Sequence, residues 1–218
     1  MGDVLRGLLG WTLRPLLRLV LVFVPVEDQW ERLHVSIPVR SYGAGAIHDF
    51  DWYFSGESAV RVTSVGEIRA WLSTCRYVRD DDLFRERDFW QHPTTFEKLR
   101  EGDCEDHAIW AWRKLVELGY DADLVFGRCP APDADAEARA CGHVWVVYRH
   151  EGQAFLFETV AKHEDRMVVP LGDAPPRYRP ELGVDRERRR FAFNGYLLSL
   201  RDGVQRGTTE GRWTWASS

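Results

Sequence analysis

Four absences narrow the reading before any motif is found. Basic charge is not in excess: 29 Lys and Arg residues stand against 34 Asp and Glu, a formal net charge of -5. A nucleic-acid partner is therefore not expected, because phosphate recognition draws on a strong basic surplus. Cysteine pairs are missing. Cys75, Cys104, Cys129 and Cys141 form no C-x-x-C, and 218 residues with 44% hydrophobic content can bury a core without staples. No disulfide framework is implied, which leaves at least one thiol free for chemistry. Internal repeats are absent. So is an uninterrupted apolar run of spanning length: residues 8–26 are strongly apolar, but Arg14, Pro15 and Arg18 break them and only eight uncharged residues follow Arg18.

That N-terminal segment stays open to three readings. It could be a signal-like apolar region, although no small-x-small cleavage site follows it. It could be a helix packed on its own domain. With Arg6, Arg14 and Arg18 on one side, it could also be an interfacial amphipathic helix making peripheral membrane contact. The expected organisation is an apolar N-terminal helix over residues 1–26, then one domain over 27–218. A cytoplasmic or membrane-associated setting is favoured slightly over a periplasmic one.

Residues 27–60 read as short strands and turns. Ser64-Val-Gly-Glu67 is a capping box opening a helix that runs to about Cys75, and residues 79–82 read as a charged, solvated loop. A short helix is expected around residues 95–100. The most regular helix begins at Asp103, an N-cap residue, and ends at Gly119, a C′ residue; Asp103 and Asp106 both suit its positive end. At 100° per residue, Ala108, Ala111, Leu115 and Leu118 share the face of Cys104, with Asp106, Arg113 and Glu117 opposite. Strands are expected at 120–127, 142–148 and 153–160, with a tight turn near Glu151-Gly152 and an acidic, mobile loop at 130–140. Residues 174–190, rich in Pro and Arg, read as irregular. One helix followed by antiparallel strands is an α+β pattern.

Cys104 thus stands at the first turn of a buried helix. Unpaired N–H groups there favour a thiolate and can hold a developing oxyanion, while Asp103, Glu105 and Asp106 oppose the thiolate. A histidine partner is needed, and His143 is the best placed, on a strand whose one face carries His143, Trp145 and Val147. A two-residue hairpin near 150–152 sets Glu158 opposite His143 or on its diagonal, on the same face in either case. A carboxylate there can fix the imidazole tautomer, the orienting role in a nucleophile–base–acid set. His107 is a rival base, though on the same helix as the thiol.

At these residues the sequence resembles a family. Gly102-Asp-Cys-Glu-Asp-His-Ala108, Gly142-His-Val-Trp-Val146 and Phe157-Glu-Thr159 look like the three motifs of the transglutaminase-like superfamily. The likeness is nearest to the bacterial transglutaminase-like cysteine proteinases, which also carry the Asp-x-Trp-x-x-Pro pattern matched by Asp88, Trp90 and Pro93. It covers roughly residues 60–160. The family usually has Asp where this chain has Glu158. The resemblance implies a papain-like fold with Cys104 at the start of a central helix on an antiparallel sheet. It also implies thiol acyl transfer by a Cys104–His143–Glu158 triad on a protein or peptide substrate, as a cysteine peptidase or amidohydrolase. Trp90 is implied in substrate binding, and calcium at Asp103 and Glu105; no cofactor is required. Three rivals remain: glutamine acyl transfer, a non-catalytic binding scaffold, and a zinc site from Cys104, His107, Cys129, Cys141 and His143.

Overall fold

The computed structural model describes residues 25–33, 35–129, 142–161 and 163–205. The helix expected over 1–26, the mobile loop expected at 130–140 and Cys141 lie outside, or almost wholly outside, these residues. In chain order the elements are β1 (Arg32–Leu33), α1 (Val65–Ser73), β2 (Arg76–Tyr77), α2 (Asp80–Leu83), α3 (Pro93–Leu99), β3 (Glu101–Gly102) and α4 (Cys104–Glu117). There follow β4 (Asp121–Arg128), β5 (Gly142–His150), β6 (Gln153–Phe157), α5 (Glu164–Met167), β7 (Val168–Pro170), β8 (Arg179–Val184), β9 (Arg190–Phe193) and α6 (Asn194–Gln205).

Local chemistry sets several of these boundaries. The Ser64 hydroxyl accepts from the Glu67 amide at 3.2 Å, and the Glu67 carboxylate reaches back to the Thr63 amide at 2.7 Å, so the box closes one residue earlier than the usual pattern. The β5–β6 hairpin turns on Glu151 and Gly152, at φ 49° and 78°. Two positive φ values make a type I′ turn, whose twist matches that of the flanking strands. Gly119, at φ 90°, takes the left-handed position after α4.

A seven-stranded sheet runs β1-β9-β8-β4-β5-β6-β7, with every neighbouring pair antiparallel, and β2 and β3 form a small parallel pair. The architecture is α+β. Alternation along β4 and β5 divides the apolar residues between two faces. Leu124, Phe126, Val144 and Val146 meet α4, while Val125, Trp145, Val147 and Leu156 form a second cluster with Tyr178, Phe191 and Phe193. Trp30 covers that second cluster from the N-terminal side.

Four expectations need correction. Helix α4 is not two-faced: Asp106, Arg113 and Lys114 are buried along with its apolar residues, and only Glu117 of the polar set is exposed. Segment 53–60 crosses the expected solvent side. Its carbonyls at Tyr53, Ser55 and Gly56 accept from the Arg113 guanidinium, and that at Val60 accepts from Lys114. Buried charge is tolerated there because each donor is satisfied. Residues 79–82 are not a solvated loop but enter α2, with Asp80 buried. Residues 174–190 are not irregular: they contain β8, whose Pro180 sits at a register shift opposite Gly127, where a missing N–H is tolerated. Strand β6 also ends earlier than expected, at Phe157, so Glu158 is the first residue beyond it.

Candidate active site

His143 stands at the second position of β5, in register with Gly127 of β4. The β5–β6 register pairs Val146 with Phe157, which puts Glu158, one residue past the ladder, opposite Trp145 and on the diagonal of His143. The diagonal is the one of the two expected arrangements that forms. Across it, His143 Nε2 donates to Glu158 Oε2 at 2.8 Å. Burial pushes the Glu158 carboxyl up, but the His143 charge and hydrogen bond, then Tyr178 and the Val160 amide, outweigh it and hold the carboxyl below its ordinary range. Burial likewise pulls His143 down, and the charge and bond of Glu158 outweigh that, leaving the imidazole above its ordinary value. Each group therefore stabilises the charged form of the other. The rival acids Glu164 and Asp165 are exposed on α5.

Cys104 begins α4 and is 5% exposed. Its thiol donates to Glu105 Oε2 at 3.3 Å and lies against the backbone N–H of Val144, the residue after His143. His143 in turn feels the charge of Asp103, the residue before Cys104. The thiol thus lies beside the residue that follows His143, and the imidazole within the field of the residue that precedes Cys104. Burial raises the thiol well above its ordinary value, and the charges of Glu105 and Asp103 add to this. The resting thiol is neutral, as the acid-rich first turn leads one to expect. His107 is turned elsewhere: its Nδ1 faces the Asp103 carbonyl at 2.7 Å and its ring packs on Phe96.

The acids around this turn form a cluster that the sequence reading reached only in part. Oxygens of Asp80, Asp103 and Asp106 lie within 4.8 Å of one another, as do those of Asp80, Asp88 and Glu105. Asp80 is pushed up to about 7 by burial and by Asp103; burial and neighbouring acids raise Asp103, Glu105 and Asp106 as well. Some of the oxygens are spoken for. Asp106 accepts from the Gln91 backbone and side chain, and Asp80 Oδ2 accepts from the Phe89 amide. Asp80 Oδ1 and Asp103 Oδ1 are buried with no hydrogen-bond partner among the described residues. Asp103 holds the extended backbone of an N-cap, but its side chain makes no capping bond. Among the described residues no metal-binding group draws on His107, Cys129 or His143, so the zinc set is not assembled there.

Trp90 is 3% exposed, stacked on Phe126 at 5.2 Å, with its indole N–H donated to Asp88 Oδ1 at 2.8 Å. It forms part of the wall of a cleft of about 580 Å³ that is also lined by Ile47, His48, Trp52, Phe89 and His92. Sequence reasoning missed Asp80, Gln91 and Tyr178. Tyr178 carried no local signal, since it follows an irregular Pro- and Arg-rich stretch and enters the site only through the β8 pairing.

No family model matches the chain, and no curated protein matches it in sequence. Among solved structures, calcium-bound LapG of Legionella pneumophila is similar at 17% identity and a TM-score of 0.41, over 54% of this chain and 61% of that one. A second structure of LapG from the same organism gives 16% identity and a TM-score of 0.44, over 66% and 76%. The chain spans about three-fifths of the first of these, and a likeness of this order assigns no activity.

Proposed function

We propose that the protein is a thiol-dependent acyl-transfer enzyme of transglutaminase-like type, acting as a cysteine peptidase or amidohydrolase on protein or peptide substrates. The observation that carries this reading is the imidazole of His143, fixed by a partly buried carboxylate at 2.8 Å on the strand whose next residue, Val144, turns its backbone N–H to the Cys104 thiol. With Nε2–H held by Glu158, the other ring nitrogen, Nδ1, is left to take the thiol proton. Cys104 Sγ attacks the substrate carbonyl and His143 takes the proton. As the C–N bond breaks, the imidazolium returns that proton to the leaving amine. Water, deprotonated by His143, then hydrolyses the thioester and restores the thiol. Glu158 keeps the ring in the correct tautomer and stabilises the imidazolium without taking its proton. Amide N–H groups at the first turn of α4 face the developing oxyanion. Trp90, part of the wall of the cleft, is assigned to substrate binding as the resemblance implies.

The acid cluster fits a calcium ion. Its donors outside the thiol are all carboxylate oxygens, two of them without partners among the described residues, and burial together with crowded like charges keeps several of the acids above their ordinary values. Asp103 and Glu105 would hold the ion as the resemblance implies, joined by Asp80, Asp88 and Asp106. When bound, calcium supplies positive charge that offsets the field raising the Cys104 thiol. Until then Glu105 both raises that thiol and accepts its proton in a hydrogen bond.

The test is covalent labelling followed by turnover. A thiol-directed acyl probe should modify Cys104, and Cys104→Ala should lose both labelling and hydrolysis while keeping its fold. Hydrolysis that survives in Cys104→Ala would contradict the proposal. Incorporation of an added amine in place of water would move the assignment from hydrolysis to glutamine acyl transfer.

A further inference from the structure

We infer that Tyr178 is a positioning residue of this site, a clamp that fixes Glu158 so that a carboxylate one methylene longer than the motif's usual aspartate still orients His143. The inference rests on the thiol-enzyme reading above and adds a fourth member to its hydrogen-bonded chain. Tyr178 Oη donates to Glu158 Oε2 at 2.7 Å, the same oxygen that accepts from His143 Nε2 at 2.8 Å. Among the described residues the other carboxylate oxygen has only the Val160 amide, at 3.4 Å, which gives little hold of its own. Glutamate has one more rotatable bond than aspartate, and ordering it takes an interaction that aspartate does not need. The phenol provides that interaction.

Tyr178 is itself held on several sides. It is 4% exposed, and its ring stands edge-on to Trp145 at 5.3 Å, against the same indole that lies 5.9 Å from the His143 ring. Its carbonyl accepts from Gln29 Nε2 at 3.1 Å and its amide donates to the Pro175 carbonyl at 3.1 Å. Gln29 is in turn tied to the start of α6 through the Gly195 amide, at 3.0 Å. The Arg177 guanidinium lies over the phenol ring at 5.5 Å. Burial keeps the phenol far above its ordinary value, with the Glu158 charge adding to this, so the hydroxyl remains a donor throughout the working pH range. A tyrosine present only to fill the core would not need its one polar atom aimed at the oxygen that orients the imidazole.

The experiment follows the His143 imidazole by NMR titration in the full chain, in the parent, Tyr178→Phe and Glu158→Gln. Phe keeps the ring on Trp145 and removes only the donor. The expected result is that Tyr178→Phe lowers the His143 midpoint by about one pH unit, in the direction Glu158→Gln takes it, because the freed carboxylate no longer stays on Nε2. An unchanged midpoint and tautomer in Tyr178→Phe would overturn the inference. On a hydrolysed substrate, Tyr178→Phe should lower kcat about ten-fold with KM little changed, the size typical of partners that act through another group. In a Glu158→Gln background the same change should add less than about two-fold, since the residue acts through Glu158. Fully multiplicative losses would assign Tyr178 a structural role and overturn the inference. Failure of the thiol-enzyme reading is separable: it appears as an unlabelled Cys104, while the imidazole titration decides Tyr178 with or without turnover.

Discussion

Among single residues, the pair His143–Glu158 makes the sharpest demands. An imidazole raised by its carboxylate must lose its proton before it can act as a base, so kcat/KM should climb with pH through a value above the ordinary histidine midpoint. Glu158→Gln removes the charge that raises the imidazole. The climb should then shift to lower pH while the plateau falls by about 10² or more, because an amide cannot stabilise the imidazolium. Glu158→Asp should be milder, and Asp165→Asn and Glu164→Gln close to the parent, since both acids are exposed on α5. A large loss at Asp165 with little at Glu158 would reassign the orienting acid. The placement of Glu158 was legible in the sequence because hairpin parity puts it on the His143 face in either register. Tyr178 was not, because no local pattern says which residue of a Pro- and Arg-rich stretch will stand at the entry of a strand that pairs back to β4. Asp106 and Arg113 were misread as solvent-facing for a related reason: a helical wheel assumes one wet side, and Gln91 covers it at Asp106 and segment 53–60 at Arg113.

At the level of elements, the site depends on β8 lying close against β4. Gly127, opposite both His143 and Pro180, makes this possible: a Cβ there would meet the Arg179 carbonyl oxygen at 2.1 Å and Trp145 Cη2 at 2.5 Å. The carbonyl is backbone and cannot swing aside, so Gly127→Ala must displace β8, and Tyr178 with it. Overpacking of this kind costs about 1–3 kcal/mol, which for a chain of this size lowers Tm by roughly 2–10 °C. Calorimetry of Gly127→Ala beside Gly152→Ala, where nothing lies within 4 Å of the added carbon, separates crowding from the strain of a positive φ. A Gly127→Ala protein as stable as the parent would mean that β8 is not held as described. Strands β4, β5 and β6 were readable from alternation. Strand β8 was not, because its sequence, Arg-Pro-Glu-Leu-Gly-Val, shows neither alternation nor β-branched enrichment until its last residue.

Over the whole molecule the opposing elements are a buried acid cluster and the helix whose first turn it surrounds. Without a cation these carboxylates repel one another, and the raised Asp80, at about 7, gives the sign: its contribution to stability is present at low pH and is lost as pH rises from the ordinary carboxylate value through 7. At pH 8, therefore, Asp80→Asn should raise Tm in the presence of chelator. In the parent, calcium at a hundred times its dissociation constant should add about 2.7 kcal/mol of stability, and Asp80→Asn should blunt that gain. A parent Tm indifferent to calcium and chelator would remove the cation from the account. The sequence pointed to Asp103 and Glu105 because they flank the thiol. Asp80 and Asp88 join them only through the packing of α2 and the segment after it against α4. The central claim, that His143 activates Cys104, can be tested without any substrate by the pH dependence of Cys104 alkylation by iodoacetamide, read by mass spectrometry in the parent and in His143→Ala. The account predicts a parent rate governed by the imidazole and a loss of about ten-fold or more at neutral pH in His143→Ala; equal rates and profiles in the two proteins would contradict it.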